Sequence, residues 1–286
     1  MLNHFKGLLI TILGVVILSP DALLVRLANT NSWTILFWRG LFFALGITLV
    51  IFLTYREKIL QQFWRIGRRG VLLGVLFGFS TIFFVTGLRY TSIANVLVII
   101  STSPVFAALL SRVVLKEKTL ARTWITMFII IAAMLLIMMD SFKSGGFWGD
   151  ISALMVSILI ATTFTIARQA KNINMVPAMA IGGLVTSGVS FIAISTSASI
   201  PLYLETNAVP YLLTMGFVTT LAFSLIMIGP RYLPAAEVSM IMPLETVFGT
   251  LLGIIYLNEM PSNYAIIGGI IILVTLSIHS WLSLKK

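Results

Sequence analysis

The sequence predicts an all-α polytopic membrane protein: ten transmembrane helices in two inverted five-helix repeats, with both termini in the cytoplasm. Three observations carry that expectation. Hydrophobic residues make up 59% of the 286-residue chain and charged residues only 10%, with a mean hydropathy of +1.06, whereas a soluble domain carries roughly 25% charged residues. Apolar stretches recur from end to end, each close to the ~20 residues a helix needs to cross a bilayer. The chain also aligns on itself at an offset of about 142 residues.

Taken in order, the expected spans are 5–27, 33–54, 70–90, 93–115, 121–139, 148–170, 177–199, 208–231, 235–257 and 263–283. The first carries Asp21 and Arg26 after Ser19-Pro20 and has no convincing small-residue cleavage site, so it reads as a retained helix and not a signal peptide. The second holds Phe37-Trp38-Arg39-Gly40, and the third has Gly74 and Gly78 at a spacing suited to close helix contact. The fourth places Asn95, Ser101, Thr102 and Ser103 around Pro104. The fifth and tenth have no acidic or basic residue in their cores and are expected at the periphery, as scaffold or as the surface of a homodimer. Gly182 and Gly183 mark the seventh as a packed helix, and Pro243 and Glu245 stand in the middle of the ninth. Prolines inside helices remove an N–H and clash with the preceding turn, so kinks are expected at Pro20, Pro104 and Pro243.

The net charge of +10 comes from 19 Lys and Arg against 9 Asp and Glu. In a soluble chain it would suggest nucleic acid, but here the basic residues lie in short connections, where they orient the protein. Arg56, Lys58, Arg65, Arg68, Arg69, Arg112, Lys116, Lys118, Arg122, Arg168, Lys171, Lys285 and Lys286 fall on one side of a ten-span chain. Only Arg26, Arg89 and Lys143 fall on the other, with Asp140, Asp150, Glu205 and Glu259. The positive-inside rule therefore puts both termini in the cytoplasm. Cysteine is absent, which removes disulfides, thiolate metal sites and a cysteine nucleophile.

The self-alignment sets Gly87-Leu88-Arg89-Tyr90 on Gly229-Pro230-Arg231-Tyr232, Val105-Phe106 on Val247-Phe248, Leu109-Leu110 on Leu251-Leu252, and Glu117 on Glu259. The same register puts Gly7 on Gly149 and Arg26 on Arg168. The repeats are expected as residues 1–143 and 144–286. Five spans per repeat is an odd number, so the second enters the membrane from the opposite side, the inverted arrangement of many secondary transporters. These residues resemble the EamA-type branch of the drug/metabolite transporter (DMT) superfamily, across essentially the whole chain. The resemblance rests on Gly87-Leu-Arg-Tyr-Thr-Ser-Ile-Ala-Asn95 with Pro104 and Leu115-Lys116-Glu117, and on Gly229-Pro-Arg-Tyr-Leu-Pro-Ala-Ala-Glu237 with Pro243 and Leu257-Asn258-Glu259. Phe37-Trp38-Arg39-Gly40 also fits the family's pattern, whereas Ser19-Pro20-Asp21-Ala22 stands where many members have Trp-Gly. What the resemblance implies is a secondary carrier, often an exporter of amino acids or other small metabolites, in a bacterial cytoplasmic (inner) membrane.

Glu245 is the leading candidate site residue. An acidic residue at a helix centre costs roughly 2.5 to 3.5 kcal/mol on translocon scales, so it normally faces a bundle interior with a partner or ligand. Desolvation makes proton uptake and cation binding two alternative ways of neutralising it, which suits substrate binding or proton coupling. The structural alternative is a glutamate that braces the Pro243 kink. Glu237 lies two turns earlier, near the cytoplasmic start of the helix, where the dipole alone favours an acid. Asp21 and Arg39 sit at similar depth and are expected to pair, either as a clamp between two helices or as part of a gate. Trp38 could cover a substrate cation, although Trp33, Trp38 and Tyr90 also suit an interfacial aromatic belt. Asn95, Thr102 and Ser103 could orient a ligand, with Ser103 at the repeat position of Glu245, or simply pack helices. His4 and His279 show no partner pattern.

Enzyme signatures are absent: the chain has no His-Glu-x-x-His, no Gly-x-Ser-x-Gly and no Gly-x-x-x-x-Gly-Lys-Ser/Thr. No metal site and no cofactor are expected. The sequence reading is a secondary transporter, an exporter, of a small polar metabolite such as an amino acid or amine. It would work by alternating access at a midplane cavity lined by the first, third, fourth, sixth, eighth and ninth helices. The expected partners are the small-molecule substrate, membrane lipid and a coupling proton. The alternatives are a lipid or hydrophobic-drug translocator of the same fold, or a channel.

Overall fold

In the computed structural model, residues 2–114, 121–197, 200–203 and 206–284 are described. The expected Leu115-Lys116-Glu117 motif, together with Lys118, Glu205, Lys285 and Lys286, lies outside them. Regular structure among the described residues is entirely helical. Eight helices are long and apolar enough to cross a membrane, and Trp124–Met138 and Asn263–Ile278 are shorter apolar segments. These two belong to the fifth and tenth helices, Ala121–Ser144 and Asn263–Leu284. The ten expected spans are all present, within a few residues at most ends.

Four spans are broken. The first divides into Leu2–Leu18 and Asp21–Leu27 around Pro20. The fourth divides into Ile93–Ile100 and Ser103–Val114, and the ninth into Ala235–Ile241 and Pro243–Leu257. All three breaks sit at the prolines that predict them. Tighter bonds recover part of the lost ladder: Thr102 N–H donates to Ile99 O at 3.0 Å, and Met242 N–H to Ser239 O at 3.2 Å. The eighth span was expected to be continuous, but it divides into Val209–Ile226 and Gly229–Tyr232. Pro230 in its second piece cannot carry on an unbroken ladder.

The inversion is visible in which residues meet. A β-carbon on Gly7, early in the first helix, would lie 2.7 Å from Tyr232 Cβ, and one on Gly149, early in the sixth, would lie 2.8 Å from Thr91 Cβ. At the other end of the first helix, Arg26 donates to Thr91 O at 2.7 Å; at the end of the sixth, Arg168 donates to Pro230 O at 3.2 Å. The start of each helix therefore lies level with the end of the other, so the first helices of the two repeats run antiparallel.

Glycines set the closest helix approach. A β-carbon on Gly40 would stand 2.6 Å from Gly183 O and 2.9 Å from Ser187 N, and one on Gly183 would stand 2.6 Å from Gly40 O. The second and seventh helices are thus in backbone contact, and Ser187 Oγ donates across the seam to Phe37 O at 2.8 Å. We expect Gly40→Ala to destabilise the protein by about 1 to 3 kcal/mol, because this backbone has no flexible atom to yield. Gly188→Ala, on the seventh helix with open space around it, should be neutral or slightly stabilising. Thermal unfolding of both variants in detergent checks the pair, and equal midpoints would show that the seam tolerates a methyl group.

The fifth and tenth helices pack together at the periphery: a β-carbon on Gly268 would meet Ile137 Cγ1 at 2.6 Å and Ala133 O at 3.2 Å. Their outward faces expose Phe128, Leu135, Ile267 and Ile270. A short amphipathic helix, Ile59–Arg65, follows the second span and was not anticipated. It buries Gln62 and exposes Leu60 and Trp64.

Candidate functional site

The cavity at the centre of the bundle is built by the breaks. Asp21 opens the helix that follows Pro20, and Glu245 lies in the first turn of the helix that begins at Pro243. A carboxylate in a first turn meets the positive end of the helix dipole. Both are almost wholly buried, at 2% and 5% exposure. Arg39, on the unbroken second helix, is 5% exposed. It donates through both terminal nitrogens to the two Asp21 oxygens, each at 2.8 Å. Its guanidinium carbon lies 5.4 Å from the centre of the Phe84 ring. This bidentate, aromatic-backed geometry is specific to arginine; a lysine could not reproduce it.

Glu245 faces the same cavity as the pair. The walls are Leu18 and Asp21 from the first helix, Arg39 from the second, and Phe77, Ser80, Thr81 and Phe84 from the third. Ile100 comes from the fourth, Val156 and Ile160 from the sixth, Phe223 from the eighth, and Met242 and Glu245 from the ninth. The space unoccupied by protein atoms is about 390 Å³, its open side included. A smaller pocket shares Arg39, Phe77, Thr81 and Phe223 and extends between the second, third, seventh and eighth helices, past Gly183, Thr186 and Thr219. Phe43, Phe77 and Phe223 form an aromatic cluster between the two, with ring centres 4.6 to 5.9 Å apart.

Sequence reasoning pairs Asp21 with Arg39 and expects Glu245 at a central cavity; the structure places all three in the lining of one cavity. The other candidates lie elsewhere. Trp38 is absent from the walls; its indole N–H donates to Leu202 O at 2.9 Å, and its ring packs edge-on to Phe37. Glu237 lies at the start of the ninth helix, where Oε2 is 2.8 Å from His4 Nε2. His4 thus has a partner that no spacing in the sequence shows. Asn95 is buried in the first turn of the fourth helix, with Nδ2 3.2 Å from Thr91 Oγ1. Thr102 bonds Ile99 O at 2.7 Å and meets Ser157 Oγ at 3.0 Å, and Ser103 is fully buried beside it. The fourth helix therefore shows the cavity Ile100, and its hydroxyls brace the break. Its polar residues were expected at the wall, but the proline at 104 turns them into the helix–helix seam. The expected list of lining helices also lacks the second, which enters through Arg39.

Ser80 and Thr81 were missed, as were the four phenylalanines. An apolar helix gives no sequence cue to which of its faces is central.

Set beside known proteins, the chain is matched by the profile of the EamA-like transporter family at residues 5–139 and 147–281, one match for each repeat. A solved crystal structure, named only as that of a protein, superposes with a TM-score of 0.71 at 16% identity, covering 98% of each chain. At that identity the likeness concerns the fold. None of the curated proteins compared matches the sequence. Two family matches spanning nearly the whole chain, on a bundle of inverted repeats around a buried charged cavity, place it firmly: the chain belongs to the EamA-like transporter family, a DMT-type membrane transporter with multiple membrane-crossing helices.

Proposed function

We propose that the protein is a secondary transporter, an exporter in a bacterial inner membrane, for a small metabolite bearing an ammonium group, such as an amine or amino acid. One observation carries this reading: Glu245 stands in a buried cavity beside an Asp21–Arg39 pair that is already neutral as a unit. The cavity then holds one carboxylate more than it holds cations. In a low-dielectric site that excess calls for a cation. A substrate ammonium meets the need when the site is loaded, and a proton meets it when the site is empty. Exchange of one for the other keeps the occluded cavity neutral in both half-cycles and links export to the proton gradient. Both termini lie in the cytoplasm on this reading, with the basic connections.

A second reading has its own support. Leu18, Phe77, Phe84, Ile100, Val156, Ile160, Phe223 and Met242 make most of the wall apolar, which suits a lipophilic cation or a lipid tail better than a strongly hydrated solute. Thermal unfolding of the purified protein against amines, amino acids, lipophilic cations and lysolipids separates the two. A ligand at a hundred times its dissociation constant adds about 2.7 kcal/mol to the native state. Stabilisation by cations that scales with hydrophobic surface supports the second reading, and stabilisation by small hydrophilic amines supports the first. Stabilisation by neutral solutes alone would sink both.

A further inference from the structure

The two cavity acids and the two rim groups that pair beyond them ride on the same pieces of helix. Asp21 and Arg26 belong to one seven-residue segment, Asp21–Leu27, that begins at the Pro20 break. Glu245 lies in the first turn of Pro243–Leu257, and Glu259 follows that segment after Asn258, whose left-handed backbone (φ 52°) turns the chain back on the helix end. The segments run the same way, from the cavity to the rim opposite the basic connections. The two segments are in contact, and the second passes close to the Pro20 break, where a β-carbon on Gly249 would lie 3.3 Å from Ser19 O.

At that rim Arg26 Nη2 lies 3.3 Å from Glu259 Oε1. The same oxygen accepts the Ile93 N–H at 3.0 Å, an N–H of the first turn of the fourth helix that has no partner within its own helix. Arg26 Nη2 also donates to Thr91 O at 2.7 Å. One ion pair therefore gathers the outer ends of the first, fourth and ninth helices, all three of them broken. On the other face, the first and ninth helices are joined again by His4 and Glu237 at 2.8 Å. These are also the helices that carry the cavity carboxylates.

We propose that Arg26–Glu259 is the outer latch and His4–Glu237 the inner latch of the transport cycle, with the half-helices Asp21–Leu27 and Pro243–Leu257 as levers that pivot at their proline breaks. Neutralising or loading the cavity acids shifts the inner ends of the levers, and the latches set which rim opens. Both latches are closed here. The inference rests on the transport reading, but its test needs no substrate.

Since the chain has no cysteine, a single Ser80→Cys places one thiol in the cavity wall, with Thr81→Cys as a second reporter. A membrane-impermeant maleimide added to intact cells reads exposure to the outside. Glu259→Ala and Arg26→Ala should each raise the labelling rate about two- to fivefold, the range a partly exposed ion pair supplies. The double variant should exceed neither by much, because both remove the same pair. Glu237→Ala should lower the rate, since releasing the inner rim favours the opposite conformation. Unchanged labelling in both outer variants, or a rise with Glu237→Ala, would overturn the latch assignment. A protein that shows the opposed shifts but moves no solute keeps its latches and loses the proposed function.

Discussion

Replacing Arg39 by alanine should lower the unfolding temperature in detergent by on the order of 10 °C. Arg39 is 5% exposed and its guanidinium holds both Asp21 oxygens at 2.8 Å, so its removal strands a carboxylate in a mostly apolar cavity. Breaking a buried pair in this way costs roughly 3 to 5 kcal/mol, and each kcal/mol moves the midpoint of a chain of this size by a few degrees. The loss is the cost of an unpartnered charge and not the net worth of the pair. Asp21→Leu combined with Arg39→Met should therefore regain most of the stability, since apolar residues of similar volume often replace a buried pair at little cost. The double variant also separates the two roles open to the pair. If it only clamps the first helix to the second, the stable double variant should still transport; if the cavity needs the pair, transport should fail in a folded protein. A single Arg39→Ala variant that unfolds within a degree or two of the parent would show that water already reaches Asp21.

The parts of this architecture readable from sequence are those written in local chemistry. Span positions follow from runs of apolar residues, the breaks from Pro20, Pro104 and Pro243, and the duplication from the matched Gly-x-Arg-Tyr stretches. Asp21, Arg39 and Glu245 are legible because charge inside an apolar run is costly and must be used or paired. Other features depend on rotation about a helix axis, which an all-apolar span does not record. Thr102 and Ser103 are as polar as Ser80 and Thr81, yet only the latter pair reaches the cavity. The choice is made by how the Pro104 break turns the fourth helix against Ser157 of the sixth. The pairing of His4 with Glu237 is hidden for a similar reason, as 233 residues separate the partners and only the closing of one repeat on the other brings them together. The Arg26–Glu259 contact spans the same separation.

Glu245→Gln should abolish proton-driven transport while leaving the protein folded. The amide fills the same volume and keeps a hydrogen-bonding end, so the Pro243 break and the Thr246 bond to Leu97 O at 2.9 Å stay in place, and the unfolding temperature should move by no more than a few degrees. What is lost is the charge. Truncating one partner of a buried, hydrogen-bonded charge pair costs about 2 to 5 kcal/mol, which corresponds to roughly a thirtyfold to several-thousandfold loss of affinity for a cationic substrate. The amide also holds no exchangeable coupling proton, so accumulation in proteoliposomes should cease to respond to an imposed pH gradient. Glu245→Asp, which retains the carboxylate one methylene shorter, should keep the response at reduced affinity. Saturable counterflow in the parent protein would distinguish a carrier from a pore. A Gln variant that accumulates substrate as the parent does, with the same response to the gradient, would reduce Glu245 to a brace for the helix break and move the coupling step to another group.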